Sequence, residues 1–423
     1  MPSPQFTKLE NTIRRTYLLA DPGIIKLLCA CTLAHRYPVA PVWLLIVAGS
    51  SCGKTELIAA LNDVAGYFPI SMLTSNTFIS GQQKTGQETS MLMRLTNNQG
   101  IFTFKDFTTL LSMNRDALIE IMAQLREIYD GELNKSFGTG KTVSWKGKVS
   151  IIAGCTTAIY GNMAMHSAMG ERFVMYTLDI PGRIEVLTRM DANANDMKEK
   201  RQEMKDAFKQ YLDVELAGKL PEKLPEPAPL IISDLKQLAN FTTLARTPIE
   251  RDLHTPSKEI IFKHDYEGPT RFYSQITALA GAMMVINEGE LEDVDKRILF
   301  KISLDSIPKM KHIVLRELAR YTAVETNGLA IKINYPNPVT SRILEDLNAL
   351  ELVDRRKGAG NRNLWTLKDE WRSMIQHYEG ITDSGTELVG NSEGESVEQK
   401  QYAISEKELD AAEVVNEMFG DRT

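Results

Sequence analysis

From Trp43 to Val47 the chain runs Trp-Leu-Leu-Ile-Val without a polar break, a pattern that predicts a strand buried on both faces. Residues 10–36 before it show helical periodicity, which Pro38 and Pro41 interrupt. Further strand-like runs fall at 101–104, 149–153 and 173–178, separated by helical patterns at 54–65, 86–97 and 115–130. Strands alternating with helices in this way predict an α/β domain around a parallel sheet, ending near Pro181. From about 184 the periodicity is helical and charged as far as about 320, with a proline-rich interruption at 220–230.

A different pattern occupies 338–367, where the amphipathic PVTSRILEDLNAL precedes two short strand-like runs around the basic, glycine-rich turn KGAGNR. A helix followed by such a hairpin predicts a winged helix-turn-helix. Thr340, Ser341 and Arg342 fall in the first turns of its recognition helix, with Ile343, Leu344, Leu347 and Leu350 on the opposite, apolar face. Beyond 380 the chain is acidic and rich in Gly and Ser, as disordered segments are, until SEKELDAAEVVNEMF offers a short amphipathic helix. The expected domains are an N-terminal helical segment (1–40), an α/β nucleotide-binding core (41–190), an all-helical lid (191–305), a winged helix (306–375) and an acidic tail (376–423).

Charge changes the picture of possible partners. The net charge of −6 argues against nucleic acid until it is divided, because residues 380–423 hold eleven acids against three bases, a net of −8, which leaves +2 for the rest. Basic clusters therefore persist in the folded part. The apolar runs are too short to cross a bilayer, the N-terminus has no apolar signal region, and Cys29, Cys31, Cys52 and Cys155 have no metal or disulfide spacing, so a reducing cytoplasm is expected.

The chemistry begins directly after the first strand. In WLLIVAGSSCGKTELIAAL a strand, a loop of small residues and a helix follow one another, with Gly49, Ser50, Ser51, Cys52, Gly53, Lys54 and Thr55 in the loop and helix start. Small residues let backbone N–H groups wrap phosphates, the lysine neutralises β/γ oxygens, and the threonine hydroxyl faces a magnesium ion. ATP and Mg2+ are the expected ligands. Ala48 stands where the motif has its first glycine, a place that requires only a small residue. A second, acidic site is expected at the end of another strand, and GIFTFKDFTTLL supplies Asp106. It is the only acid there: it serves the metal, or it takes the water-polarising place with Lys105 in the first acid's position, or it caps the strand end.

In this order the motifs resemble AAA+ ATPases, in the branch of minichromosome maintenance helicases, magnesium-chelatase-like remodelers and bacterial enhancer-binding activators, over residues 41–320. That resemblance implies a three-layer αβα core with an all-α lid. It implies a pore hairpin with Lys141 near its tip and Lys146 and Lys148 on its return strand, and a first sensor at Thr156. It implies an arginine finger at Arg172, presented to a neighbouring subunit, and a second sensor at Arg271 reaching the γ-phosphate from the lid. The whole layout resembles uncharacterised AAA+ proteins of phages and integrative elements, which carry a similar loop, strand end and C-terminal winged helix.

The expectation is a ring-forming homo-oligomer, six-membered by that resemblance, that hydrolyses ATP and acts on DNA as a replication helicase or origin remodeler. Arg342, Arg355, Arg356, Lys357 and Arg362 join the hairpin lysines as DNA contacts. Two other functions stay open: a remodeler that pulls on a protein partner through the winged helix, and a slow ATP-dependent switch. The acidic tail is solvated linker or a docking segment for another protein.

Overall fold

Ser3 sets the start of the first helix, α1 (Pro4–Thr16), by accepting the Phe6 N–H on its hydroxyl at 3.3 Å, with a proline in the first turn. Phe6, Leu9 and Ile13, spaced three and four apart, form its buried stripe. The second helix, α2 (Gly23–His35), is buried along its whole length. The computed structural model describes residues 3–80, 90–138, 140–161, 172–179, 182–252, 254–255, 258–381 and 385–388.

Next come β1 (Trp43–Val47), α3 (Lys54–Ala60), β2 (Tyr67–Ile70) and β3 (Gln99–Phe104). After them follow α4 (Arg115–Tyr129), the hairpin β4 (Glu132–Ser136) and β5 (Thr142–Lys146), then β6 (Lys148–Cys155) and β7 (Phe173–Thr177). Five strands make one parallel sheet in the order β2-β3-β6-β1-β7. The protein is thus a mixed α/β structure with a parallel central sheet and many helices. β1 is buried throughout, as are nearly all positions of β6. Edge strand β2 was not expected from the sequence, because Pro69 interrupts its pattern; an edge tolerates proline, since no ladder bond is needed on its outer side. The helix expected over 86–97 is not found: its described part forms two short 3-10 turns, Leu92–Arg94 and Thr96–Asn98, and the remainder lies outside the described residues.

Helices α5 (Arg183–Asn193), α6 (Met197–Lys209) and α7 (Pro229–Arg246) precede a two-stranded sheet of β8 (Ile249–Arg251) and β9 (Ile260–Lys263). Then come α8 (Thr270–Asn287) and α9 (Asp293–Asp305). The chain divides into two compact units, Met1–Leu235 with Arg271–Ile302, and Lys236–Thr270 with Ser303–Thr423. The helical segment 191–305, expected as a lid of its own, is shared between them. In the first unit Ile276, Leu279, Ala280 and Met283 of α8 are fully enclosed.

The second unit contains α10 (Lys309–Leu318), β10 (Ala323–Glu325), α11 (Thr326–Ile333), α12 (Asn337–Ala349), β11 (Val353–Lys357), β12 (Asn363–Leu367), α13 (Asp369–Glu379) and β13 (Glu387–Leu388). The strands order as β11-β12-β10-β13. Ile343, Leu344, Leu347 and Leu350 are buried as their periodicity predicts, together with Trp365 and Leu367. The short strand at 387–388 falls where disorder was expected, whereas the terminal helix expected from SEKELDAAEVVNEMF lies outside the described residues.

One buried charge stands inside the first unit. Lys26, the one lysine of α2, is 4% exposed and meets Asp295, fully buried on α9, at 2.5 Å. Asp295 also accepts the Asn287 side-chain amide (2.7 Å) and the Glu292 N–H (2.9 Å). Removing one partner of such a pair leaves an uncompensated ion in the core. Asp295→Ala is therefore expected to cost about 3–5 kcal/mol in urea unfolding, and adding Lys26→Met should recover much of it; a loss under 1 kcal/mol would show the pair to be inessential.

Candidate functional site

The loop after β1 takes two left-handed turns, at Ser51 (φ +63°) and Gly53 (φ +80°). Gly53 immediately precedes α3, and only a glycine takes that conformation without strain. Lys54 is 6% exposed and bends back so that Nζ donates to the carbonyls of Ala48 (3.3 Å) and Gly49 (3.0 Å) of its own loop. Ser50, Ser51 and Thr55 are exposed, and the Cys52 thiol contacts the Ser50 carbonyl at 3.5 Å. Ala48 continues the sheet, donating its N–H to Cys155 at 3.1 Å, so a methyl group is accommodated where a glycine is usual.

The register brings the other chemistry to the same edge. Val47 lies beside Cys155, and Phe104 beside Ala153, so Ala48, Asp106 and Thr156 all leave the sheet at the carboxyl ends of their strands. Open α/β sheets bind ligands at that edge. Asp106 is exposed and accepts the Thr108 N–H on Oδ1 at 2.9 Å, capping the short 3-10 turn Phe107–Ser112. The Thr108 hydroxyl accepts the Thr156 N–H at 2.8 Å and donates to the Thr156 hydroxyl at 3.2 Å. Thr108 thereby links the two expected site residues. Spacing in the sequence carries no signal for it.

A second missed group flanks the loop. The Tyr17 ring is 3.7 Å from where a Cβ on Gly53 would stand, and Glu56 pairs with Arg201 of α6 at 2.6 Å. Burial, and then the Glu56 charge, push the Tyr17 hydroxyl above its ordinary pKa, while Arg201 favours its ionisation. Three distant segments meet here, so no local motif announces the cluster.

For magnesium, the donors at this edge are the Thr55 hydroxyl and the Asp106 carboxylate. Among the described residues no three His, Cys, Asp or Glu side chains gather to hold a metal. Two donors suit Mg2+, which keeps several waters and shares phosphate oxygens rather than entering a protein cage.

Both arginines lie at the opposite edge. Arg172 immediately precedes β7, whose Phe173 is beside Trp43 at the start of β1, about 16 Å of strand away from the loop. Its guanidinium is over the Tyr129 ring at 5.8 Å and 3.7 Å from Asp130, and the residue is 8% exposed. Glu171, its neighbour in sequence, lies outside the described residues. Gln275 of α8 pins this edge: it accepts the Trp43 N–H (3.3 Å) and donates to the Tyr129 hydroxyl (3.0 Å) and the Arg172 carbonyl (3.0 Å). One turn before Gln275, Arg271 is exposed and near enough to favour Tyr129 ionisation, against the burial that pushes that hydroxyl up to about 12. Arg271 therefore lies near Tyr129, at the edge away from the loop after β1. Gln275 holds the first turn of α8, and with it the residue expected as a second sensor, at this far edge.

In the hairpin, Lys141 is half-buried at the turn, its carbonyl accepting the Phe137 N–H at 2.9 Å. Lys146 is exposed and faces Glu132 across the strands at 3.1 Å. Lys148 corrects another expectation. Its Nζ donates to the carbonyls of Ala34 (3.1 Å), His35 (3.1 Å) and Tyr37 (2.7 Å) at the end of α2, and burial lowers its pKa to about 8. It holds a helix end and is not presented to a nucleic acid.

In the second unit Thr340 is buried, donating to the Pro336 carbonyl at 3.2 Å, and Ser341 bonds Glu345 at 3.2 Å. Of the first-turn residues only Arg342 remains suited to an outside contact; it is half-exposed, and its carbonyl accepts Arg251 at 2.8 Å. Arg355, Arg356, Lys357 and Arg362 are exposed on the β11–β12 hairpin. Arg355 lies over the Trp365 ring at 5.8 Å, Arg356 meets Glu387, Lys357 reaches the Asn361 carbonyl at 3.4 Å, and Arg362 meets Glu325 at 3.3 Å.

No family model matches the chain, and no curated protein matches it. Among solved structures it is similar to the apo C-terminal region of NrS-1, at 10% identity and a TM-score of 0.27, over 87% of this chain and 79% of that one. It is also similar to the active helicase SCCmec type IV Cch, at 10% identity and a TM-score of 0.30, over 89% and 72%. Among the described residues no helix is long and apolar enough to cross a membrane.

Thr108 provides the local test. Thr108→Val removes the acceptor of the partly buried Thr156 N–H, which is expected to cost about 1–2 kcal/mol in chemical denaturation, with Thr108→Ser restoring most of it. Equal stability of the valine and wild-type proteins would remove Thr108 from the site.

Proposed function

We propose that the chain is an AAA+ ATPase that works as a ring on DNA, as a replication helicase or origin remodeler of a phage or mobile element. The observation that carries this reading is the division of the first unit. Lys54, Thr55, Asp106 and Thr156 occupy one edge of the parallel sheet, and Arg172 and Arg271 the other. A cation about 16 Å from its own loop cannot serve that loop. In a head-to-tail ring it faces the loop of the next subunit.

When bound, the magnesium nucleotide supplies the phosphoryl group to be transferred and the negative charge that the site must neutralise. Lys54 exchanges the Ala48 and Gly49 carbonyls for phosphate oxygens, which make stronger charge-assisted bonds. Thr55 and Asp106 hold the metal's shell. Thr156, tied to Thr108, orients a water or a phosphate oxygen. From the neighbouring subunit Arg172 leaves its long, weak contact with Asp130 for the γ-phosphate, and Arg271 joins it. Lys141 at the hairpin turn grips the strand during turnover, while Arg342, Arg355, Arg356, Lys357 and Arg362 of the winged helix hold duplex phosphates. A slower ATP-dependent switch is the second reading, favoured by Asp106 standing as the sole acid of its strand end.

Lys54→Ala is expected to abolish nucleotide binding in calorimetry, and Arg172→Ala to bind nucleotide yet lose hydrolysis by about a hundredfold or more. Mixing the two variants restores part of the activity, because an intact finger then meets an intact loop. A mixture that co-assembles and stays inactive would sink the trans arrangement.

The DNA contacts separate by kind. Neutralising Arg355 and Lys357 weakens duplex binding to a similar degree for all sequences and lowers the salt slope by about one unit per charge. Lys141→Ala keeps most duplex affinity and loses the stimulation of ATPase activity by DNA. If both variants bind and respond to DNA as wild type does, the substrate is not DNA, and stimulation by a protein partner becomes the reading to pursue.

A further inference from the structure

The wing is already engaged by the chain's own C-terminal side. Strand β13 adds itself to the sheet parallel to β10, with Ala323 beside Glu387 and Val324 beside Leu388, and the Thr322 N–H donates to the Thr386 carbonyl at 3.2 Å. This fourth strand lies at the edge opposite β11. Arg356 on β11 nevertheless meets Glu387, its side chain crossing the face of the sheet to do so. The register explains how: Arg356 is opposite Leu364, and Leu364 is opposite Glu325, so these side chains share one face. Arg362 folds over the same face to Glu325 at 3.3 Å. Two of the four wing cations are thus turned toward carboxylates on the β10–β13 side.

Past this anchor the sequence is strongly acidic. Beyond Leu388 there are nine acids against three bases, a net of −6. A segment tethered at Leu388 stays at high effective concentration near the wing, and its charge is complementary to Arg355, Arg356, Lys357 and Arg362. We propose that the acidic C-terminal segment is an internal competitor for the basic wing, anchored by β13 and Glu387 and displaced by nucleic acid. The proposal rests on the reading that the wing binds DNA. The anchor is suited to displacement, since a two-residue strand and an exposed ion pair are individually weak. Two chains of like charge, tail and phosphate backbone, cannot occupy one basic hairpin together, so binding of one requires release of the other.

The test uses the full chain with the nine acids beyond Leu388 replaced by their amides, and separately Glu387→Gln. Binding of a fluorescent mixed-sequence duplex is followed by anisotropy over a range of salt. The neutralised tail is expected to tighten binding about tenfold at low salt, with the advantage shrinking as salt rises, and Glu387→Gln to tighten it about two- to threefold. Amide exchange supplies an independent reading: saturating duplex speeds exchange of the Thr322 N–H in the wild-type chain, because its Thr386 partner departs. Equal duplex affinity for wild type and both variants, or a Thr322 amide equally protected with and without duplex, overturns the proposal while leaving DNA binding in place. If neither wild type nor the neutralised chain binds duplex at low salt, the DNA reading itself fails, and the competition with it.

Discussion

Strand β6 is hydrogen-bonded to β1 on one side and to β3 on the other, and the functional edge depends on that double pairing. Parallel strands held in register deliver their carboxyl ends to one line. The loop after β1, the strand end at Asp106 and the threonine at 156 therefore emerge together although β1 and β3 are not paired. A slip of one residue in β6 would exchange the side chains packed on its two enclosed faces. It would also draw Thr156 away from Thr108. Burial along β6 enforces the register and so aligns the chemistry.

How much of this was legible in the sequence depended on the range of the interaction. The strand–loop–helix order around Lys54 was readable because strand, small-residue loop, lysine and helix are contiguous. Strands β1, β3, β6 and β7 were readable as apolar runs, since a strand enclosed on both faces needs no alternation. The place of Asp106 at a strand end was readable because it follows such a run. Thr108 was not, because its bond to Thr156 spans 48 residues and a half-buried threonine in a turn carries no pattern. The positions of Arg172 and Arg271 were equally hidden. They follow from Gln275, whose amide joins β1, α4 and the start of β7 across 232, 146 and 103 residues.

Charge placement follows the same division. Two cations of the first unit are committed to internal partners: Lys26 to Asp295, Lys148 to three carbonyls. Dehydrated charges that lack such partners are too costly to keep. Where cations are exposed, as on the β11–β12 hairpin, their present partners are surface carboxylates or a ring face, and exchange for a phosphate involves little loss. A count of lysines and arginines in a basic stretch cannot separate the two groups; their partners do. Lys146 and Lys148, two positions apart, fall on opposite sides of that line.

Lys148 has a mechanical side as well. The hairpin β4–β5 joins β6 through Gly147 alone, where a Cβ would come within 2.0 Å of the Asn98 carbonyl oxygen, and the next residue is fastened to the end of α2. The junction is therefore short and tightly seated, and it cannot absorb a displacement by flexing. At the hairpin root Leu133 and Trp145 are enclosed, and nearer the turn Lys135 is held by the Ser75 carbonyl at 2.7 Å. A push at the turn meets a stiff lever with its fulcrum at Gly147. The load passes into β6 and α2 instead of being lost as motion of a loose arm.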